Sequence, residues 1–476
     1  MADQLKSKMI SGGRWLFLNQ AINQPIRIIV GILLTRLLLP EDFGLVAKSF
    51  AVTGIAELVL VQGLLGAVIQ DKDIEKRQVH TLFWISFLWS VFIATTIFFL
   101  APTIAQFYGD DKVAWIVRVA SISIVFAGMQ LVPSALIRKN LQFKKIFIAA
   151  TSSGIISSAV AIYFTLEGYG YKALIFQFVI NSILNGLIIF KISNWLPKFK
   201  FNLKEVSSHI KFGLNVTGAN ILNYLVRNAD DVALGKFQSN ATLGQYARAY
   251  FLMLTPLNIV DQIFNTLLFP TFSKIQNDKE RVSYIFFKAQ EIILLLTFPF
   301  LTFFFFNVEI IVNNLLGLQW ASTIVLFKIF TPLLLIQLFT SPISSIYMTY
   351  NKTKYLFKFS LITKPILIIS IILAANYGQI EVAIIITILS SIFGSILYKN
   401  GVNIISNHSI KQSVNHFKLF LICWLFQGAL QLIVTYGMNN INIRFVLSIV
   451  ILGLFYIIYF YIKPNMVKEF RKIINS

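Results

Sequence analysis

Residues 81–101, TLFWISFLWSVFIATTIFFLA, run for 21 positions without one charged side chain. As a helix this stretch is about 30 Å long, the thickness of a bilayer's hydrocarbon core. Its neighbours repeat the pattern. Apolar stretches bounded by charges or by Gly and Pro recur at approximately 14–38, 45–68, 113–137, 146–166, 172–193, 213–237, 246–270, 285–307, 321–349, 355–376, 380–400, 417–437 and 444–462, making fourteen in all. Fourteen spans of roughly 20 residues take up about 59% of the chain, close to its 57% hydrophobic content. Only 13% of residues are charged, where soluble domains carry roughly 25%. The expected fold class is therefore all-α: a polytopic membrane protein of about 14 transmembrane helices, because in lipid each helix satisfies its own backbone. A secreted or cytosolic enzyme is excluded.

Lysine and arginine set the orientation, since cytoplasmic segments keep an excess of them. The N-terminus, every second connection and the C-terminal tail hold 29 of the 41 basic residues, among them Lys72, Lys76, Arg77, Arg138, Lys139, Lys274, Lys279, Lys288 and Lys463. Both termini are expected to face the cytoplasm. The net charge of +21 then follows from topology and from anionic membrane lipids, not from nucleic acid. Met1–Arg14 is basic and leads into a full-length apolar stretch, which makes it the lead into a first span and not a cleaved signal.

The connections are short, the longest cytoplasmic one being 194–212, so there is no room for a soluble catalytic domain. No GxxxxGK[ST] loop occurs, and Gly63–Gly66 and Gly168-Tyr169-Gly170 are too sparse to cradle phosphate. Cys423 is the single cysteine, which rules out an intramolecular disulfide or a thiolate cluster. His80, His209, His408 and His416 lie near connections without ligand spacing and are expected to be solvated. No cofactor, no metal and no enzymatic activity are expected.

An internal repeat has an offset of 200 residues. Without a gap it pairs Gln20 with Asn220, Asn23 with Asn223, Arg27 with Arg227, Leu34 with Leu234 and Arg36 with Lys236. It continues with Gly44 and Gly244, Ala47 and Ala247, Lys48 and Arg248, Phe50 and Tyr250. Six spans separate the copies, so both enter the membrane in the same direction. This predicts two six-helix lobes, 1–200 and 201–405, related by a pseudo-two-fold axis along the membrane normal, plus two appended helices and a basic tail at 406–476.

Asn19, Gln20, Asn23, Gln24 and Arg27 form one polar stripe on the first span. Pro25 would loosen the helix beside Arg27. The span 213–237 repeats the arrangement with Asn220, Asn223, Arg227 and Asp230, with Asn228 and Asp231 alongside. A charge at the bilayer centre costs about 2.5–3.5 kcal/mol on the insertion scale, so these groups must face protein or a watery cavity. A salt bridge from Arg227 to Asp230 or Asp231 competes with a cavity role; Arg27 has no acid in its own span.

Arg36, Lys48, Arg118, Lys236, Arg248, Lys328 and Lys364 add further positive charge. Snorkelling to the interface explains Arg36, Lys48, Lys236 and Arg248 about as well as ligand contact does. The interior sum is basic and suits an anionic substrate, with arginine matched to phosphate. The interior acids are Glu57, Asp230, Asp231 and Asp261. Each could couple transport to a H+ or Na+ gradient or form a salt bridge to a neighbouring arginine. The aromatic residues are assigned to packing and interfacial anchoring.

LLTRLLLPEDFGLV at 33–46, GAVIQ at 66–70, HTLFW at 80–84 and LVPSALIRKNLQF at 131–143 resemble the WzxC and TuaB type of polysaccharide flippase. NADDVALGKF at 228–237, LGQYARAY at 243–250 and FPTFSKIQND at 269–278 extend the likeness, which covers the first eight spans well. Glu57-Leu58-Val59 departs from the family pattern, which often places glycine after the acid.

The resemblance implies the multidrug, oligosaccharidyl-lipid and polysaccharide transporter superfamily. It implies flipping of a polyprenyl-diphosphate-linked oligosaccharide in the bacterial cytoplasmic membrane, around a central basic cavity, in company with polysaccharide polymerase or export machinery. On this reading Arg27, Arg227, Arg118, Arg248, Lys364, Arg36, Lys48, Asn23 and Asn223 bind substrate, while Glu57, Asp261, Asp230 and Asp231 couple the ion. An ion-coupled small-molecule antiporter is the alternative, though an organic-cation pump calls for an acidic cavity. A membrane-embedded glycan polymerase would need a long external loop.

Overall fold

The computed structural model describes residues 2–71, 73–211, 213, 224–405, 410–438 and 440–464, with the side chains of 2–10, 56–64, 67, 256, 258–267 and 410–416 excepted. The described residues are helical apart from short connections. Eleven of their helical stretches are long and apolar enough to cross a membrane. The three other expected spans, 45–68, 213–237 and 246–270, each include residues or side chains outside the described set.

By their contacts the residues form two compact units, Met1–Gly244 and Gln245–Ser476. Unit 1 contains α1 (Ala2–Leu37), α2 (Pro40–Gln70), α3 (Lys76–Tyr108), α4 (Lys112–Lys139), α5 (Phe143–Leu166), α6 (Tyr171–Ile192) and α7 (Ala229–Phe237). It also holds the first turn of α8 (Asn240–Lys274). Lipid is as apolar as leucine, so packing and internal hydrogen bonds hold these helices together rather than burial from water. Small residues permit it. A Cβ on Gly128 would fall 2.3 Å from Ser90 Cβ, which brings α4 hard against α3. Ser182 of α6 donates to the Ser123 carbonyl of α4 at 3.0 Å, and Asn185 donates to Gln130 at 2.9 Å. α4 is thereby the most enclosed of the eleven spans, with 61% of its apolar window buried.

The 200-residue repeat is visible in the backbone. α1 ends at Leu37 and α2 begins at Pro40; α7 ends at Phe237 and α8 begins at Asn240. Leu38 N–H closes on the Leu34 carbonyl at 2.9 Å, and Gln238 N–H on that of Leu234 at 2.8 Å. Leu34 and Leu234 are both buried, as are Lys48 and Arg248, while Arg36 and Lys236 are both exposed.

The connection 194–211 is packed down on the start of α3. Val206 is fully buried among Val68, Val79, Leu82 and Leu131. Trp84 Nε1 donates to the Lys198 carbonyl at 3.1 Å and its ring stacks on Phe199.

Unit 2 continues α8 and adds α9 (Lys279–Leu315), α10 (Ala321–Thr340), α11 (Ile343–Thr349), α12 (Thr353–Ala375), α13 (Gln379–Ile405), α14 (Ile410–Gly437) and α15 (Ile441–Ile462). α9 packs on α10, α14 and α15, and α10 on α13. Buried amides pin the last two helices: Gln427 donates to the Pro299 carbonyl and Gln431 to the Ser448 carbonyl, both at 2.9 Å.

Candidate functional site

α1 leaves most of its surface uncovered, since its apolar window has no buried residue and its main neighbour is α5. Asn23 Nδ2 donates to Asn19 Oδ1 at 2.7 Å, one turn back along the polar stripe. Arg27 lies one turn further on and is exposed. The helix continues through Pro25 without a break.

Its repeat partner Arg227 is also exposed. The competing salt bridge is overturned here, because among the described residues no ion pair joins Arg227 to Asp230 or Asp231. The backbone leaves helical geometry at Asn228 (φ −119°, ψ 12°), so i+3 and i+4 spacing does not bring the charges together. Asn228 Nδ2 donates to the Tyr224 carbonyl at 2.8 Å across this bend. Asn223 lies outside the described residues.

A polar cluster forms where α2, α3, α7 and α8 meet. Lys48 is 4% exposed, with its ammonium 5.6 Å from the centre of the Tyr108 ring. Arg248, the repeat partner of Lys48, is likewise buried, at 9% exposed. Glycine at 235 makes the approach possible, for a Cβ there would fall 2.9 Å from the Tyr108 ring and 3.1 Å from Lys48 Cγ. Asp231 lies within electrostatic reach of the Tyr108 hydroxyl, and Asp110 attracts Lys48. Asn240 donates to Asp110 Oδ2 at 2.7 Å. Asp230 is buried and receives the Asp231 backbone N–H at 3.0 Å. Lys236 is exposed, donates to the Phe107 carbonyl at 2.5 Å and lies over the Phe107 ring. The structure therefore brings Lys48 and Asp231 to Tyr108, a residue the sequence reading had assigned to packing, with Asp230 bonded beside Asp231.

The remaining candidates lie elsewhere. Arg118 is exposed on α4 with its guanidinium 5.5 Å from the Phe98 ring centre. Arg36 is exposed at the end of α1. In unit 2, Arg248 lies over Phe251 at 5.4 Å, Lys364 is half-buried and Lys328 is exposed. Glu57 and Asp261 fall on α2 and α8, but their side chains lie outside the described residues.

Two expectations need correction. His80 is buried, accepts the Lys198 N–H on Nδ1 at 3.1 Å and stacks on Trp195; His209 is buried and bonded to Asp71 at 2.8 Å. Neither is a solvated loop histidine: the 194–211 connection packs over His80, and His209, within that connection, is held against Asp71. Glu291 was not among the interior acids, and Lys288 was counted only as a cytoplasmic charge. Glu291 is 1% exposed, accepts from Lys288 at 3.0 Å and from the Tyr459 hydroxyl at 2.8 Å, and pairs with Lys463. Lys288 and Glu291 stand at i, i+3 at the head of an apolar run, which was the available signal. Among the described residues no group of three potential metal ligands occurs.

The model of the polysaccharide biosynthesis protein family matches residues 33–325, and this chain belongs to that family. The lipopolysaccharide biosynthesis protein WzxC of Escherichia coli (strain K12) is 26% identical over 395 residues, covering 81% of this chain and 78% of that protein. Among solved structures, the lipid II flippase MurJ in an inward closed conformation has a TM-score of 0.73 at 18% identity, covering 95% of this chain and 99% of that one. An inward-facing multidrug resistance MATE family transporter has a TM-score of 0.63 at 14% identity, covering 83% of this chain and 98% of that one. The fold is thus MurJ/MATE-like.

Proposed function

We propose that this protein flips a polyprenyl-diphosphate-linked oligosaccharide repeat unit across the bacterial cytoplasmic membrane by alternating access of two six-helix lobes, with both termini in the cytoplasm. The observation that carries the reading is the pair Arg27 and Arg227. Both stand at repeat-related positions in membrane spans, both are exposed, and among the described residues neither has a carboxylate partner. Placing such a charge in lipid costs about 2.5–3.5 kcal/mol, so a hydrated cavity and an anionic ligand are the environment that suits it. A diphosphate presents the acceptor oxygens that the arginine fork engages two at a time. Lys48, Arg248 and Lys364 add to the basic interior, and the prenyl tail stays in lipid. Asp230 and Asp231 are the described acids placed to couple the cycle to a proton or sodium gradient, the role also assigned to Glu57 and Asp261. Family membership and the likeness to WzxC support the glycan-lipid cargo over a small-molecule one.

The test is complementation of a deletion strain with Arg27→Ala and Arg227→Ala, with membrane levels measured by immunoblot. Each variant should be present at normal level and lower surface polysaccharide by about tenfold or more, the loss of one charge-assisted contact. Normal polysaccharide from both would remove these arginines from the site.

A further inference from the structure

Between α3 and α4 a groove of about 270 Å³ opens on unit 1, its walls including Ala94, Thr95 and Phe98 from α3 and Ser121, Ile122 and Phe126 from α4. Phe98 and Ile122 are 44% and 43% exposed, so the groove opens outward along its length. Arg118 precedes Ser121 and Ile122 by one turn on the same helix face. It is the seventh residue of α4, about 9 Å from the helix start, which puts it at the depth of a membrane interface. Phe126 lies about 12 Å further along, toward the middle of the helix.

The charge of Arg118 is uncompensated. Among the described residues no carboxylate pairs with it, and its recorded contact is the Phe98 ring, which holds the guanidinium at the head of the groove. The Ser121 hydroxyl donates back to the Arg118 carbonyl at 2.7 Å, so it offers the groove no free donor. A guanidinium at interfacial depth, above an apolar channel that runs inward, has the charge and polarity profile of one lipid class.

We propose that this groove binds one anionic phospholipid of the leaflet at the Tyr108–Lys112 end of unit 1, with Arg118 on its phosphate and an acyl chain lying between α3 and α4. A soluble phosphate would make no use of the apolar walls. The site is separate from the flippase reading: it places Arg118 on the lipid-facing surface and leaves the diphosphate to Arg27 and Arg227.

The full-length protein is reconstituted in phosphatidylcholine nanodiscs and titrated with phosphatidylglycerol, and bound lipid is counted by native mass spectrometry after release into detergent. Wild type should retain one phosphatidylglycerol. Arg118→Gln should weaken its retention by about tenfold or more, as expected for loss of a charge-assisted contact. Ile122→Trp, at an exposed position that leaves the charge in place, should do the same by filling the groove. Equal retention by wild type and both variants would overturn the proposal. Stoichiometric displacement by a polyprenyl diphosphate would also overturn it and give the groove to the substrate. Surface polysaccharide from Ile122→Trp should stay normal, whereas failure of the flippase reading shows in the Arg27 and Arg227 variants.

Discussion

Gly44 and Gly244 stand 200 residues apart and each faces the other's helix start: a Cβ on Gly44 would fall 1.8 Å from the Asn240 carbonyl oxygen, and one on Gly244 would fall 1.8 Å from that of Pro40. Asn240 is itself the repeat partner of Pro40. The contact is therefore reciprocal, as a local two-fold axis between the opening turns of α2 and α8 requires. Gly44→Ala and Gly244→Ala should each destabilise the protein by about 1–3 kcal/mol, the cost of overpacking a site with no free volume. Because both force the same two backbones apart, the double variant should cost less than the sum of the singles. Thermal melts in detergent measure this; additive or absent effects would refute the shared contact.

Glu291 holds Lys288, Lys463 and Tyr459 in one buried cluster and so ties α9 to the end of α15. Glu291→Gln should lower stability by about 3–5 kcal/mol, because it strands buried positive charge. Replacing Glu291 and Lys288 together with leucine should recover much of the loss, since Lys463 is partly exposed and can reach water. The ratio of folded to aggregated protein on size exclusion after heating reads both.

Most of the fold was legible because the run of apolar residues is long enough to cross lipid, and lipid admits helices. Helix limits were not legible. Hydropathy marks where lipid ends, not where the helix does, so α2 begins at Pro40 where the expectation was about 45, and α9 extends to Leu315 beyond 307. Glu291 was hidden for a related reason: its partner Lys463 lies 172 residues away and reads locally as tail charge. Tyr108 was hidden among many aromatic residues, and only the glycine at 235 shows why Lys48 can reach it. Arg27 and Arg227 were legible from the repeat alone, while the bend at Asn228 that separates Arg227 from the two aspartates was not.

The 194–211 connection should loosen in acid. The hydrogen bond from His209, helped by the Asp73 N–H, holds the Asp71 carboxyl below the usual carboxylate range. A depressed folded value means the contribution is complete above the unfolded carboxylate value of about 4 and is lost as pH falls through the folded one. Limited proteolysis within 194–211 should therefore rise at pH below about 4 in wild type. Asp71→Asn should raise cleavage already at neutral pH and abolish that acid step; an unchanged acid step would show that another group controls it.

Orientation is open to a labelling test, because Cys423 is the single native cysteine. In a Cys423→Ala background, Asp111→Cys in intact cells should react with a membrane-impermeant maleimide, and Asn277→Cys should react only after lysis. The opposite pattern would place the termini outside.

The central claim, transport of a diphosphate-linked glycan, is tested most directly by mass spectrometry of polyprenyl-linked sugars from the native host with and without this gene, with surface polysaccharide quantified in parallel. The account predicts that deletion accumulates one polyprenyl-diphosphate-linked repeat unit on the cytoplasmic side while surface glycan falls, both restored by the wild-type gene. Unchanged lipid-linked sugars and unchanged surface glycan in the deletion strain, in the absence of any second gene of this family, would contradict it.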